Sequence, residues 1–183
     1  MSDLVDPSLL KTMRDEREIQ RTLLRYFRGV DRKDFALMES SYHPDAYDDH
    51  GFYKGDVKGL IEAIQARHET IEQSMHVAGN CLIELDGARA FVETYGVLHQ
   101  HGRTGSVRFS TGEMTYRRFT IGVRYADRFE ERRGEWKIAH RVVVYEWVRE
   151  EDGDLQFNPD WTVARRSRDD MIYRIPASDT KMG

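Results

Sequence analysis

From residue 114 to residue 148 the chain reads MTYRRFTIGVRYADRFEERRGEWKIAHRVVVYEWV. Phe119, Ile121, Val123, Tyr125, Asp127 and Phe129 fall on alternate positions, the period of a half-buried strand over Met114–Glu131. Arg133-Gly134 is a turn signal, and Glu135–Val148, rich in Val, Tyr and Trp, is the returning strand. Working back, Gly102–Gly112 is a polar, Gly-containing loop and Ala90–His101 is another strand. Asp86-Gly87 closes a hairpin onto a strand at Val77–Leu85. Upstream of Val77 the period changes from 2 to 3.6. Ile19, Leu23, Tyr26, Phe27 and Val30 predict an amphipathic helix over 15–31. A short second helix is expected over Asp34–Tyr42, stopped by Pro44, then a short strand or loop over Asp45–Tyr53. A third helix is expected over 56–74, with Val57, Leu60, Ile61, Ile64, His68 and Ile71 on one side. Helices followed by a meander of long strands are an α+β pattern: three N-terminal helices packed on a strongly curved antiparallel sheet, a cone-shaped α+β barrel. A cone lined by both layers is a ready small-molecule pocket.

The 183 residues make one domain. The expected division is an N-terminal arm over 1–14, the cone over 15–148, and a C-terminal tail over 149–183. That tail carries Phe157, Trp161, Met171, Tyr173 and Ile175, too apolar to stay free. Trp161 and its neighbours are expected to close the pocket or a subunit contact. A formal charge of −4 is no footprint for nucleic acid or an anionic membrane. The single Cys81 excludes an intrachain disulfide and any multi-Cys zinc site. No apolar run approaches membrane-spanning length, and the acidic N-terminus does not read as a signal peptide, so a cytoplasmic setting is expected.

His43, Asp45, Asp48, Asp49 and His50 lie close together, but no H-x-x-x-H or H-E-x-x-H spacing appears, and no metal is expected. Nucleotide-binding glycine motifs and a G-x-S-x-G elbow are absent. Asp31 is an oddity: a carboxylate at the C-terminal end of a helix sits against the negative end of the macrodipole and needs a partner.

Four stretches carry a family resemblance: Gly29-Val30-Asp31-Arg32-Lys33-Asp34, His43-Pro44-Asp45-Ala46, Met75-His76-Val77-Ala78-Gly79-Asn80, and Tyr125 with Glu130-Glu131-Arg132-Arg133-Gly134-Glu135-Trp136-Lys137. In their order the chain resembles the nuclear transport factor 2-like superfamily, within it the SnoaL-like branch that includes scytalone dehydratase and hexachlorocyclohexane dehydrochlorinase. The resemblance implies a His–Asp dyad of His76 and Asp31, at a helix-to-strand junction and a helix end. It puts His50 where the dehydratase pattern has a Tyr, and Tyr125 where it has an Asn. A second sheet histidine falls at His101 or His99, of which His101 is favoured; Tyr95 is a further, weaker donor. Arg124 and Arg141 are expected on the solvent side, unless the strand bulges, in which case either is placed to bind a carboxylate.

The implied function is a cofactor-independent lyase acting on a hydrophobic, aromatic small molecule. His76 would remove a proton, and water, halide or an aldehyde such as formaldehyde would leave. A histidine titrates near ~6.5, and a carboxylate on its other nitrogen makes it a better base. The alternatives are a ring isomerase or cyclase, a non-catalytic small-molecule binding domain, and an assembly protein like the small subunit of ring-hydroxylating dioxygenases. A homo-oligomer is expected because one helical layer cannot cover both sheet faces, and the resemblance to the dehydratase branch implies a trimer over a dimer.

Overall fold

The computed structural model describes residues 6–104 and 114–175; most of the Gly102–Gly112 loop lies outside them. Helix α1 spans Pro7–Asp31. It starts well before residue 15 because Asp6 caps it, accepting from the Ser8 amide, and Pro7 fits the first helical position. Its early turns are solvated: Leu9, Leu10 and Met13 keep helical spacing but stay exposed, so no buried face marks them. The later turns bury Ile19, Leu23, Tyr26, Phe27 and Val30, each worth about 1.5–3 kcal/mol. Helix α2 is only Phe35–Glu39, capped by Asp34. It packs against α1 at Gly29, where a Cβ would come within 2.6 Å of the Met38 nitrogen, so only glycine fits.

Strand β1, Tyr42–Asp49, takes up Tyr42 and Pro44. Pro44 does not stop the preceding helix; it sits in the irregular stretch of β1 between Tyr42 and Tyr47, where a missing N–H costs no ladder bond. A short β2, Lys54–Asp56, leads into α3, Val57–Arg67, capped by Asp56. Helix α3 ends before residue 74. Ile71 satisfies both the helical and the strand period, and the chain from Ile71 pairs with the end of the next strand, Ile71 opposite Gly102.

Four long strands follow: β3 Ile71–Asp86, β4 Arg89–Thr104, β5 Thr115–Arg132 and β6 Glu135–Asp152. The sheet order is β2-β1-β6-β5-β4-β3. All pairings are antiparallel except β1 with β6, which is parallel, so the sheet is mixed. It curves around α1 without closing: β2 and β3 remain edges, and the α+β cone is open. A single turn, Met171–Tyr173, is the last element.

One irregularity decides which residues face inward. Arg128 pairs with His140 and Phe129 with Ile138, leaving Ala139 as an extra residue in β6. Ile138 and Arg141 therefore both point into the core. Arg141, expected on the solvent side, is 0% exposed. Arg124 does face solvent, paired with Glu93 and Glu146. No helix among the described residues is long and apolar enough to cross a membrane.

Candidate active site

Asp31 ends α1, and His76 projects from the inner face of β3. The strand begins at Ile71, so His76 lies inside it rather than at a helix-to-strand junction. The two meet. His76 Nδ1 lies 2.6 Å from Asp31 Oδ1, Ser74 Oγ donates to the same oxygen at 2.8 Å, and the His76 amide donates to Oδ2 at 2.8 Å. Burial works against the Asp31 charge, but His76 and Ser74 hold its carboxyl below the usual range. An ionised Asp31 requires a proton on Nδ1, which leaves Nε2 as the basic nitrogen. Nε2 has no hydrogen bond among the described residues. The His76 side chain is 4% exposed, and its ring stacks on Phe27.

The ring lines a small cavity of about 40 Å³ together with Tyr26, His50, His68, Gln100 and Tyr125. Ligand sites typically run about 300–1,000 Å³. Phe52, Arg67 and Tyr145 narrow this one, with the Arg67 guanidinium over the Phe52 ring at 5.0 Å.

His50 stands in the cavity wall as part of a second buried histidine–carboxylate pair. Its Nδ1 is 2.6 Å from Asp48 Oδ1, and its Nε2 is 3.1 Å from the Tyr26 hydroxyl. Tyr42 donates to Asp48 at 2.8 Å. Behind the wall Arg141 binds Asp127 through two bonds of 2.7 and 2.6 Å, and its guanidinium lies over the rings of Tyr26 at 4.3 Å and Tyr125 at 4.6 Å. Burial opposes the Arg141 charge, yet Asp127 and the tyrosines hold it above even the normal guanidinium range. Burial raises the Tyr125 and Tyr26 phenols far above their ordinary range, so both remain O–H donors. The Tyr125 hydroxyl has no hydrogen bond among the described residues, so it can donate into the cavity.

Two expected residues lie elsewhere. His101 and His99 share a strand parity, as expected, but it is the outer one, because Gln100 and Leu98 hold the inward positions. His101 stacks on Tyr116 and approaches Asp154 at 3.3 Å. Tyr95, on the same outer face, is 46% exposed under Arg124.

A further histidine, His68, lines the cavity from the end of α3. Burial, with Arg166 and other cations nearby, pushes its pKa down to about 3, so it is neutral. Ser74 and Asp48 were legible in principle, since each lies two residues before the histidine it serves and so shares its strand face. Tyr26 and Phe27, one turn before Asp31, could have been read the same way. Arg166 gave no signal. Trp161, expected to seal the pocket, is 64% exposed and lines no part of it. Among the described residues no group of three or more His, Cys, Asp and Glu could hold a metal ion.

A family model described as the SnoaL-like domain matches residues 11–142. No curated protein sequence matches the chain. Solved structures share the fold. The hexachlorocyclohexane dehydrochlorinase LinA-type3 of Novosphingobium barchaimii is 18% identical, covering 82% of this chain and 99% of its own, with a TM-score of 0.64. A scytalone dehydratase-like protein of Novosphingobium aromaticivorans is 13% identical, covering 83% and 97%, with a TM-score of 0.64. A Mycobacterium tuberculosis protein of unknown function is 18% identical, covering 77% and 76%, with a TM-score of 0.61.

Proposed function

The chain belongs to the SnoaL-like domain family, and from that premise we propose that it is a cofactor-independent lyase for a hydrophobic, aromatic small molecule. One observation carries the reading: His76 turns an unpartnered Nε2 toward the cavity while an ionised Asp31 holds its Nδ1–H. In the proposed step Nε2 takes a proton from the substrate, from carbon or from a hydroxyl. The electron pair moves onto a carbonyl or ring oxygen, which accepts a hydrogen bond from Tyr125. The Arg141 guanidinium, its charge balanced by Asp127, lies over both tyrosine rings and works against the burial that raises their phenols. The leaving group then departs, and the proton on Nε2 passes to it or to solvent. The aromatic wall suits an aryl substrate. Its entry requires Phe52 and Arg67, at the mouth, to swing aside.

The same proton abstraction without a leaving group would be an isomerisation. The narrow cavity favours a different second reading, an assembly role in which side chains fill the cone. An untargeted screen of aryl and polycyclic metabolites, comparing wild type with His76→Ala, separates the two. Turnover lost in the variant supports the lyase. Absence of turnover across the screen, with stable complex formation instead, supports the second reading. We further propose a homo-oligomer, trimer over dimer, and a cytoplasmic setting. Support for assembly comes from Met75, Val77, Tyr95 and Trp147, exposed on the outer sheet face.

A further inference from the structure

Arg166 lies in the tail, past the residues that the family model matches. Its side chain reaches back into the domain and is inserted between two elements. Nε donates to the Asp31 carbonyl at 3.0 Å and Nη2 to the Val30 carbonyl at 2.9 Å. Nη1 donates to the Ile71 carbonyl at 2.9 Å. Nη2 also meets His68 Nδ1 at 2.9 Å, and since His68 is neutral that nitrogen accepts. The first two acceptors are the last carbonyls of α1; the third belongs to the first residue of β3. Helix α1 carries Asp31 and strand β3 carries His76. One planar fork thus bridges the two elements whose separation sets the Asp31–His76 contact.

The charge fits the place. The C-terminus of α1 carries the partial negative charge of the helix dipole, its last carbonyls accepting from the Arg32, Lys33 and Asp34 amides and, at Asp31, from the Arg32 side chain at 3.4 Å; the Asp31 carboxylate adds a full charge. A guanidinium at those carbonyls offsets both. Burial lowers the Arg166 pKa to about 10 while the Asp31 charge pulls it up, so it stays cationic at neutral pH. A lysine has one point-like head and cannot span acceptors on two elements in this way. The tail is fixed on either side of the insertion: Gln73 donates to the Ala164 carbonyl at 3.2 Å, and the Tyr173 hydroxyl to Asp34 at 3.1 Å.

We propose that Arg166 is a positioning residue for the Asp31–His76 pair, a clamp supplied by the C-terminal tail that fixes the end of α1 against the start of β3 so that carboxylate and imidazole meet. The inference deepens the reading of that pair as a working dyad, but its readout needs no turnover, so it can fail while the lyase reading stands and the reverse.

The test follows the His76 Nδ1 proton of the intact chain by NMR, with circular dichroism as a control for the fold. In Arg166→Met that proton should lose its low-field resonance through upfield movement or exchange with water. Arg166→Lys, which keeps the charge without the span, should move it part of the way. Tyr173→Phe, which removes a different tail contact, should leave it in place. An unchanged resonance in a folded Arg166→Met overturns the proposal, and so does an equal change in Tyr173→Phe. Should Arg166→Met fail to fold, Arg166→Lys decides: a wild-type resonance there overturns the clamp, and a shifted one in a folded protein supports it.

Discussion

The ring of Phe27 lies parallel to that of His76, with 5.2 Å between centroids and 12° between planes. The helix that supplies the carboxylate thus also supplies the flat surface against which the imidazole rests. With Asp31 on one nitrogen and Phe27 on one face, His76 has a single orientation, and its remaining nitrogen points to the cavity.

His76→Ala should lower turnover of an identified substrate by about 10²–10⁴-fold, with the far-ultraviolet spectrum unchanged. Steady-state kinetics check this. Activity within about threefold of wild type would remove His76 from the base role.

Acid should destabilise the protein through His68. Its folded pKa is about 3, against an unfolded value near ~6.5, so between these limits the unfolded chain binds the extra proton. The stabilisation is complete above ~6.5 and is lost progressively as pH falls toward about 3. Urea melts across that window should show stability rising with pH, and His68→Gln should flatten the slope. An identical slope in the variant would place the titration elsewhere.

The Asp127–Arg141 pair should behave asymmetrically. Removing one partner, as in Asp127→Asn or Arg141→Met, leaves a fully buried polar group or charge without its match and should cost about 3–5 kcal/mol in denaturant melts. Replacing both with apolar residues of similar volume should recover much of the loss. A double variant no more stable than the worse single one contradicts this.

Light scattering at micromolar concentration should give a mass above that of a single chain, and Trp147→Glu should reduce it. Trp147 is exposed on the outer sheet face beside Val77 and Tyr95. A monomeric wild type would refute the assembly proposal.

The layer order was legible because alternation and the 3.6 period are local. So were the hairpin turns at Asp86-Gly87 and Arg133-Gly134. Ends were harder. The first turns of α1 form through a cap and a proline with no buried face, and Ile71 fits either period until Gly102 pairs with it. His76, His50 and Tyr125 reach the cavity, with Asp31 bonded to His76, whereas His101 and Tyr95 do not, because strand parity counts from a register that only pairing fixes. The oddity of Asp31 at a helix C-terminus was visible and the resemblance named His76 as its partner, but Ser74 and Arg166 were not read from the sequence. His76 and Ser74 reach it across the fold, and Arg166 binds its carbonyl from far along the chain, a contact that no local pattern encodes.

The extra residue at Ala139 works as a frame setter for everything after it in β6. Were it instead taken into the ladder as an ordinary paired residue after Ile138, each following side chain would change sides: His140 would turn inward and Arg141 out to water. Tyr26 and Tyr125 would then lose the cation they share, and Asp127 its counter-charge, without any substitution among the residues that line the cavity. The polarity of the site is therefore written in the bulge of a strand as much as in its composition. A relative that lacks this one residue would hold Arg141 inward on a regular strand, whereas one that pairs it would keep the same fold around a chemically different interior.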